Sequence, residues 1–197
     1  MKKKARRPKI PIPKAAKTFR RIEMEVTVGR ILFTEEQIRA RAKELAAEIC
    51  EDYKGESLYL VGTLRGALVW MADIMKEISL ETEIDFIVAS SYQGMDTTGV
   101  VTIKKDIEGD VSGKNVIIIE DIVDTGTTLY KLLDYFKGKG AKSVEICSML
   151  NKPSRRKAPV SPKYNGFEID DLFVIGYGLD YNQKFRNLPF VGVAELR

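Results

Sequence analysis

Apolar residues in the stretch TEEQIRARAKELAAEICEDYKG recur with a helical period. Ile38, Ala42, Leu45 and Ile49 make one stripe, Thr34 with Gln37 fits a capping box, and Gly55 is a fitting stop. This spacing predicts a helix between Thr34 and Gly55. SLYLVGT (57–63) reads as a short buried strand, and GALVWMADIMKEI (66–78) as a helix that is apolar nearly all round. IDFIVASSY (84–92) is the next strand, QGMDTTG (93–99) a polar loop, and VVTIKKD (100–106) alternates like a half-exposed strand. NVIIIEDIV (115–123) is a continuous β-branched run, the pattern of a central parallel strand covered on both faces. A helix follows near 127–137 and stops in the GKG at 138–140. SVEICSMLNK (143–152) and LFVIGYG (172–178) are two further strands. Strands alternating with helices predict an α/β fold with a largely parallel sheet, whose ligands sit beyond the carboxyl ends of the strands.

Composition narrows the chemistry. The chain has 197 residues, enough for one domain with a sizeable core, and no apolar run approaches the ~20 residues that span a bilayer. Its basic start lacks an apolar segment, so no secretory signal is expected. Cys50 and Cys147 sit in apolar-patterned segments without metal-binding spacing and read as free thiols in a reducing, cytoplasmic setting. There is no histidine, so proton transfer falls to Asp, Glu, Lys, Tyr or Cys. Charge is divided unevenly: ten of the 32 basic residues lie in residues 1–21 with no acid among them, leaving 22 against 28 acids in the body. With Pro8, Pro11 and Pro13 and no apolar period, residues 1–22 read as a mobile basic arm suited to polyanions, and 23–197 as the domain.

The stretch IIIEDIVDTGTTL raises the chemical question, because it sets Glu120, Asp121 and Asp124 at the end of a core strand, where a carboxylate without a partner is costly. Thr125, Gly126, Thr127 and Thr128 follow, at the start of the next helix. Their amides and hydroxyls form an anion cradle favoured by the helix dipole. Acids beside such a cradle suit vicinal hydroxyls or a hard cation. The stretch therefore describes a phosphorylated sugar, its phosphate on the Thr-Gly-Thr-Thr loop and its ribose hydroxyls on the acids. No G-x-x-x-x-G-K-[ST] occurs, which excludes a P-loop.

VIIIEDIVDTGTTL resembles the diphosphoribosyl-binding motif of type I phosphoribosyltransferases. VGTLRGALVWMADI (61–74) resembles the pyrophosphate loop of the hypoxanthine–guanine branch, and SSYQGMDTTGVV (90–101) its lid. NKPSRRK (151–157) and GFEIDDLFVIGYGLDYNQKFRNLPFVGV (166–193) resemble its purine-binding segments. The likeness runs from about residue 30 to the end. It implies the type I fold, with a small hood subdomain and a flexible lid loop over the parallel sheet. It also implies transfer of a phosphoribosyl group from phosphoribosyl diphosphate (PRPP) to hypoxanthine or guanine. The products are IMP or GMP and diphosphate, with magnesium as cofactor, in a homodimer or homotetramer.

Carried over residue by residue, the resemblance gives Glu120 and Asp121 the ribose hydroxyls, with an indirect part in metal binding, and makes Asp124 the acid/base. Thr125, Gly126, Thr127 and Thr128 take the phosphate. Leu64, Arg65 and Gly66 form the diphosphate loop, in which the peptide before the basic residue can be cis. Arg65 stands where lysine is usual. Arg186 clamps diphosphate, Asp180 contributes to the magnesium site, and Ser91 and Tyr92 form the lid pair. Lys152 reads the purine 6-oxo group, Phe173 stacks on the ring, and the Val174 backbone bonds the ring edge. Asn151 replaces an acid that usually precedes Lys152. The same motifs on the same fold also suit a xanthine-preferring transferase or a regulatory protein that senses PRPP or nucleotides. A pure interaction module fits the density of matched motifs poorly.

Overall fold

A computed structural model describes residues 26–91 and 101–196. Strands β2 (Leu58–Thr63), β3 (Thr82–Ser91), β4 (Val101–Lys105), β5 (Asn115–Val123), β6 (Ser143–Asn151) and β7 (Tyr164–Glu168) form a six-stranded sheet in the order β4-β3-β2-β5-β6-β7. All its neighbours pair in parallel except β3 with the edge strand β4. A second, three-stranded antiparallel sheet joins β1 (Val26–Phe33), β9 (Val191–Leu196) and β8 (Val174–Ile175) in the order β1-β9-β8. The mixed α/β architecture and the largely parallel central sheet agree with the pattern.

The β-branched run of β5 lies at the centre, and its two side-chain rows build two cores. Ile117 and Ile119 pack with Leu58, Leu60 and Cys147 under helices α1 (Glu35–Asp52) and α2 (Leu68–Glu77). Val116 and Ile118 pack with Tyr59, Val61 and Ile146 under α3 (Thr127–Gly138), which contributes Leu129, Leu132 and Phe136. Covering both faces removes any need for polar alternation, so the strand reads as unbroken hydrophobicity. α1 begins with the expected capping box, both Thr34–Gln37 bonds being present. Cys50 and Cys147 are free, and burial pushes the Cys147 thiol up to about 12, where it is unreactive. No helix among the described residues is long and apolar enough to cross a membrane.

One expectation needs correction. The strand predicted over 172–178 shrinks to the two residues of β8, in the small sheet rather than the large one. Gly176, Tyr177 and Gly178 all have positive φ, which breaks an extended run whatever its hydrophobicity. α2 forms as expected, with Trp70, Met71 and Ile74 inside and the apolar Leu68 and Met75 facing outward. β1, β7 and β9 were not foreseen. The loop 93–99 and the arm 1–22 lie outside the described residues.

Candidate active site

Glu120 and Asp121 occupy the carboxyl end of β5, where side chains leave the core and reach a cleft of about 330 Å³. The cleft is also lined by Leu64, Gly66, Asp124, Thr125, Gly126, Thr128, Asp180 and Arg186, so the structure gathers most of the candidate residues in one place. Glu120 accepts from the Thr63 hydroxyl at 2.7 Å and from the Asp121 amide at 3.2 Å, while the Ile122 amide donates to Asp121 at 2.9 Å. Burial, reinforced by the neighbouring Asp121 charge, pushes the Glu120 carboxyl well above the usual carboxylate range. Burial likewise raises Asp121, although hydrogen bonds and Arg186 oppose it. Two carboxylates placed so closely disfavour each other's charge, which hydroxyls or a cation would compensate.

Asp121 has this position because the facing residue is glycine. A Cβ built on Gly66 would lie 2.5 Å from the Asp121 carboxyl carbon and closer still to Oδ2. Gly66 is in turn packed against Gly178, where an added Cβ would lie 3.1 Å from the Gly66 carbonyl carbon. The Leu64–Arg65 peptide before it is cis, and Arg65 extends outward to donate to Gln183 at 2.8 Å.

On the other side of the acids, α3 starts without a side-chain cap. Its N-cap is Gly126 at φ 76°, and its nearest help is a long 3.5 Å bond from the Thr127 amide to the Thr125 hydroxyl. A Cβ at Gly126 would also lie 3.0 Å from a terminal nitrogen of Arg156. The first-turn amides are therefore presented to the cleft, the arrangement that anions occupy at helix starts.

Asp124, at the turn, pairs with Arg155, whose Nε donates to Oδ1 at 3.0 Å. Lys152 is 7% exposed, and its Nζ donates to the Leu172 carbonyl at 2.6 Å. Phe173 is 53% exposed, unusual for a large aromatic, and meets Tyr181 edge-on at 5.9 Å. Val174 is buried and pairs with Val193. Asn151 accepts from Arg156, and Arg156 also donates to the Asp124 carbonyl at 3.0 Å, so the departure at 151 ties to an arginine rather than to Lys152. Arg186 turns its guanidinium toward the same cleft. Its Nη1 donates to the Gly178 carbonyl at 2.6 Å and its Nη2 lies 2.5 Å from Asp180 Oδ1, leaving only the buried Nε without a partner among the described residues. Ser91 closes β3, and Tyr92 lies outside the described residues.

The description "phosphoribosyl transferase domain" is the family model that matches, over residues 31–182. The chain belongs to the phosphoribosyltransferase family, in its hypoxanthine–guanine branch. A hypoxanthine phosphoribosyltransferase of Salmonella typhimurium is 47% identical over 169 residues, 84% of this chain and 95% of that one. A hypoxanthine-guanine phosphoribosyltransferase of Bacillus subtilis is 43% identical, covering 87% of this chain and 96% of its own. A crystal structure of such an enzyme from Bacillus anthracis superposes with a TM-score of 0.82 at 41% identity, over 87% of this chain and 99% of that one.

Thr63, Gly178, Arg155, Arg156 and Asp171 were not singled out from the sequence. Arg155 and Arg156 stood inside the NKPSRRK motif, which gave a signal for the segment but not for the reach of either side chain. Thr63 had a positional signal, as the last residue of a buried strand in an α/β sheet.

Proposed function

We propose that the protein salvages purines, transferring the phosphoribosyl group of PRPP to hypoxanthine or guanine to give IMP or GMP and diphosphate. The observation that carries this reading is the Glu120–Asp121 pair lining one cleft with the uncapped start of α3. One end of that cleft takes hydroxyls, the other takes phosphate. The 5-phosphate sits on Thr125–Thr128, and Glu120 and Asp121 accept from the ribose 2- and 3-hydroxyls. As the bond to diphosphate breaks, positive charge develops on the ribose, and the acids lie where it is stabilised. Asp124 takes the proton from the purine imidazole nitrogen. Lys152, whose ammonium has further donors besides the one to the Leu172 carbonyl, donates to the 6-oxo group, and Phe173 offers its exposed face for stacking.

The donors suit magnesium: they are hard carboxylate oxygens, yet the described residues contain no cluster of three metal ligands. Asp180, fixed by Arg186 and by the Gln183 amide at 2.8 Å, would be the protein residue that holds the ion. Magnesium, when bound, neutralises the diphosphate leaving group. The same reading makes the protein a cytoplasmic homodimer or homotetramer, with the basic residues 1–22 as an arm for nucleic acid or another polyanion. The test is a spectrophotometric assay of hypoxanthine, guanine, xanthine and adenine with PRPP, with and without chelator. Turnover of the first two, abolished by chelation, is expected. Failure to form any nucleotide from a 6-oxopurine would refute the reading.

A further inference from the structure

Asp124 and Lys152 come from different strand ends, yet a ladder of alternating charge connects them. Lys152 Nζ lies 3.8 Å from Asp171 Oδ1, Asp171 Oδ2 lies 3.3 Å from Arg155 Nη1, and Arg155 Nε lies 3.0 Å from Asp124 Oδ1. Lys152 grips the same turn a second time through the Leu172 carbonyl. Arg155 ends the short 3₁₀ turn Pro153–Arg155 that follows Lys152, and its amide donates to the Lys152 carbonyl at 3.1 Å. One guanidinium therefore joins the end of β5, the turn after β6 and the turn at 170–172. Asp124 Oδ2 has no hydrogen-bond partner among the described residues, so the ladder takes one oxygen and leaves the other for a ligand.

The edge of a 6-oxopurine supplies the matching geometry. Its N7 and its 6-oxo group stand side by side on one edge, whereas adenine carries a donor in place of the oxo oxygen. A site that addresses both atoms at once needs a carboxylate oxygen and an ammonium held at a fixed spacing. Neither is rigid alone, since a lysine stem has four rotatable bonds and an aspartate can turn about two. We propose that Arg155 and Asp171 are positioning residues, which set the spacing between Asp124 and Lys152 to the N7–O6 edge of the purine. This rests on the function proposed above. The planar fork of arginine is what allows it to serve two carboxylates at once, and a lysine in its place supplies charge without the bridge.

A purely structural role predicts little, because three of the ladder's four members are open to solvent. The Arg155, Asp124 and Asp171 side chains are 47%, 41% and 54% exposed, and ion pairs so exposed contribute little to stability. The experiment compares Arg155→Gln, Arg155→Lys, Asp171→Asn and the Arg155→Gln/Asp171→Asn double variant with wild type. It reads melting temperature, KM for PRPP, and kcat and KM for hypoxanthine. Melting and the PRPP constant are expected to stay near wild type, while kcat/KM for hypoxanthine falls on the order of tenfold or more in Arg155→Gln, as displaced reacting groups require. Arg155→Lys should recover only part of that loss. The double variant should lose no more than Arg155→Gln, since the two residues act as one unit. Wild-type hypoxanthine kinetics in Arg155→Gln would overturn the proposal, as would losses in the two single variants that simply multiply in the double. A wild-type protein that used no 6-oxopurine would instead refute the function itself, and the proposal with it.

Discussion

Replacing Gly66 by alanine adds one methyl group at the tightest point of the cleft. The added Cβ would stand 2.5 Å from the Asp121 carboxyl carbon and closer still to Oδ2, while an ordinary contact begins near 3.4 Å, so the carboxylate must move by at least about 0.9 Å. Gly66 does not have positive φ, so the substitution brings no backbone strain of its own. The loop cannot retreat, because Gly178 is packed against the Gly66 carbonyl behind it. Asp121 must therefore move, against the 2.9 Å bond from the Ile122 amide. A displacement near 1 Å of a positioning group lowers turnover by about 10²-fold. Overpacking of this kind also costs about 1–3 kcal/mol of stability. For a chain this size that lowers the melting temperature by roughly 2–12 °C. The assay is kcat/KM for PRPP at a temperature well below both melting points, so that only folded protein is compared. Gly138→Ala is the control: nothing lies within 4 Å of its added Cβ at the end of α3. It should leave kinetics alone and stabilise by up to ~1 kcal/mol. Wild-type kinetics in Gly66→Ala would refute the steric reasoning.

Asp124→Asn keeps the shape and removes the base; turnover should fall about 10²–10⁴-fold with PRPP binding retained, and a loss confined to binding would contradict the role. Lys152→Gln should slow 6-oxopurines sharply and narrow their advantage over adenine, because an amide presents donor or acceptor where the ammonium only donates. Competition between hypoxanthine and adenine on wild type and variant decides it. Away from the site, burial pushes the Asp85 carboxyl up, but the amides of Phe86, Glu108 and Gly109 and the Tyr59 hydroxyl outweigh it and hold it at about 2, from an ordinary 3.8. A depressed acid stabilises the fold above its unfolded value, so this contribution, on the order of 2 kcal/mol, is present above about pH 4 and lost as pH falls toward 2. Denaturant titrations should show a flatter dependence across that window for Asp85→Asn, and an unchanged slope would discount the network.

Legibility in the sequence followed the physics of each element. β5 and α1 were readable because local signals decide them: burial on both faces makes β5 uniformly apolar, and the Thr34–Gln37 box marks the first turn of α1. β8 was overread because three successive positive-φ residues, including Tyr177, leave no trace in hydropathy. β1 and β9 were missed because they are stable only as a pair separated by most of the chain, and a half-exposed strand depends on its partner more than on its own pattern. The acids and the threonine loop stood together in thirteen consecutive residues and could be read as one chemistry. The contacts that organise them could not. Gly66 against Asp121 and Arg155 between Asp124 and Asp171 depend on chain crossings that no local spacing records.

The uncapped start of α3 has a thermodynamic consequence for the whole domain. A helix whose opening amides have no more than one long side-chain bond is incomplete, and its first turn is the place where it opens first. On the function proposed above, the ribose 5-phosphate is the group that would supply the missing cap. Binding and the last step of folding would then be one event at Thr127–Leu129. A ligand present at a hundred times its dissociation constant adds about 2.7 kcal/mol to stability. The slowing of amide exchange that accompanies it should be concentrated in that one turn of helix, so the substrate finishes a piece of secondary structure that the chain begins and leaves open.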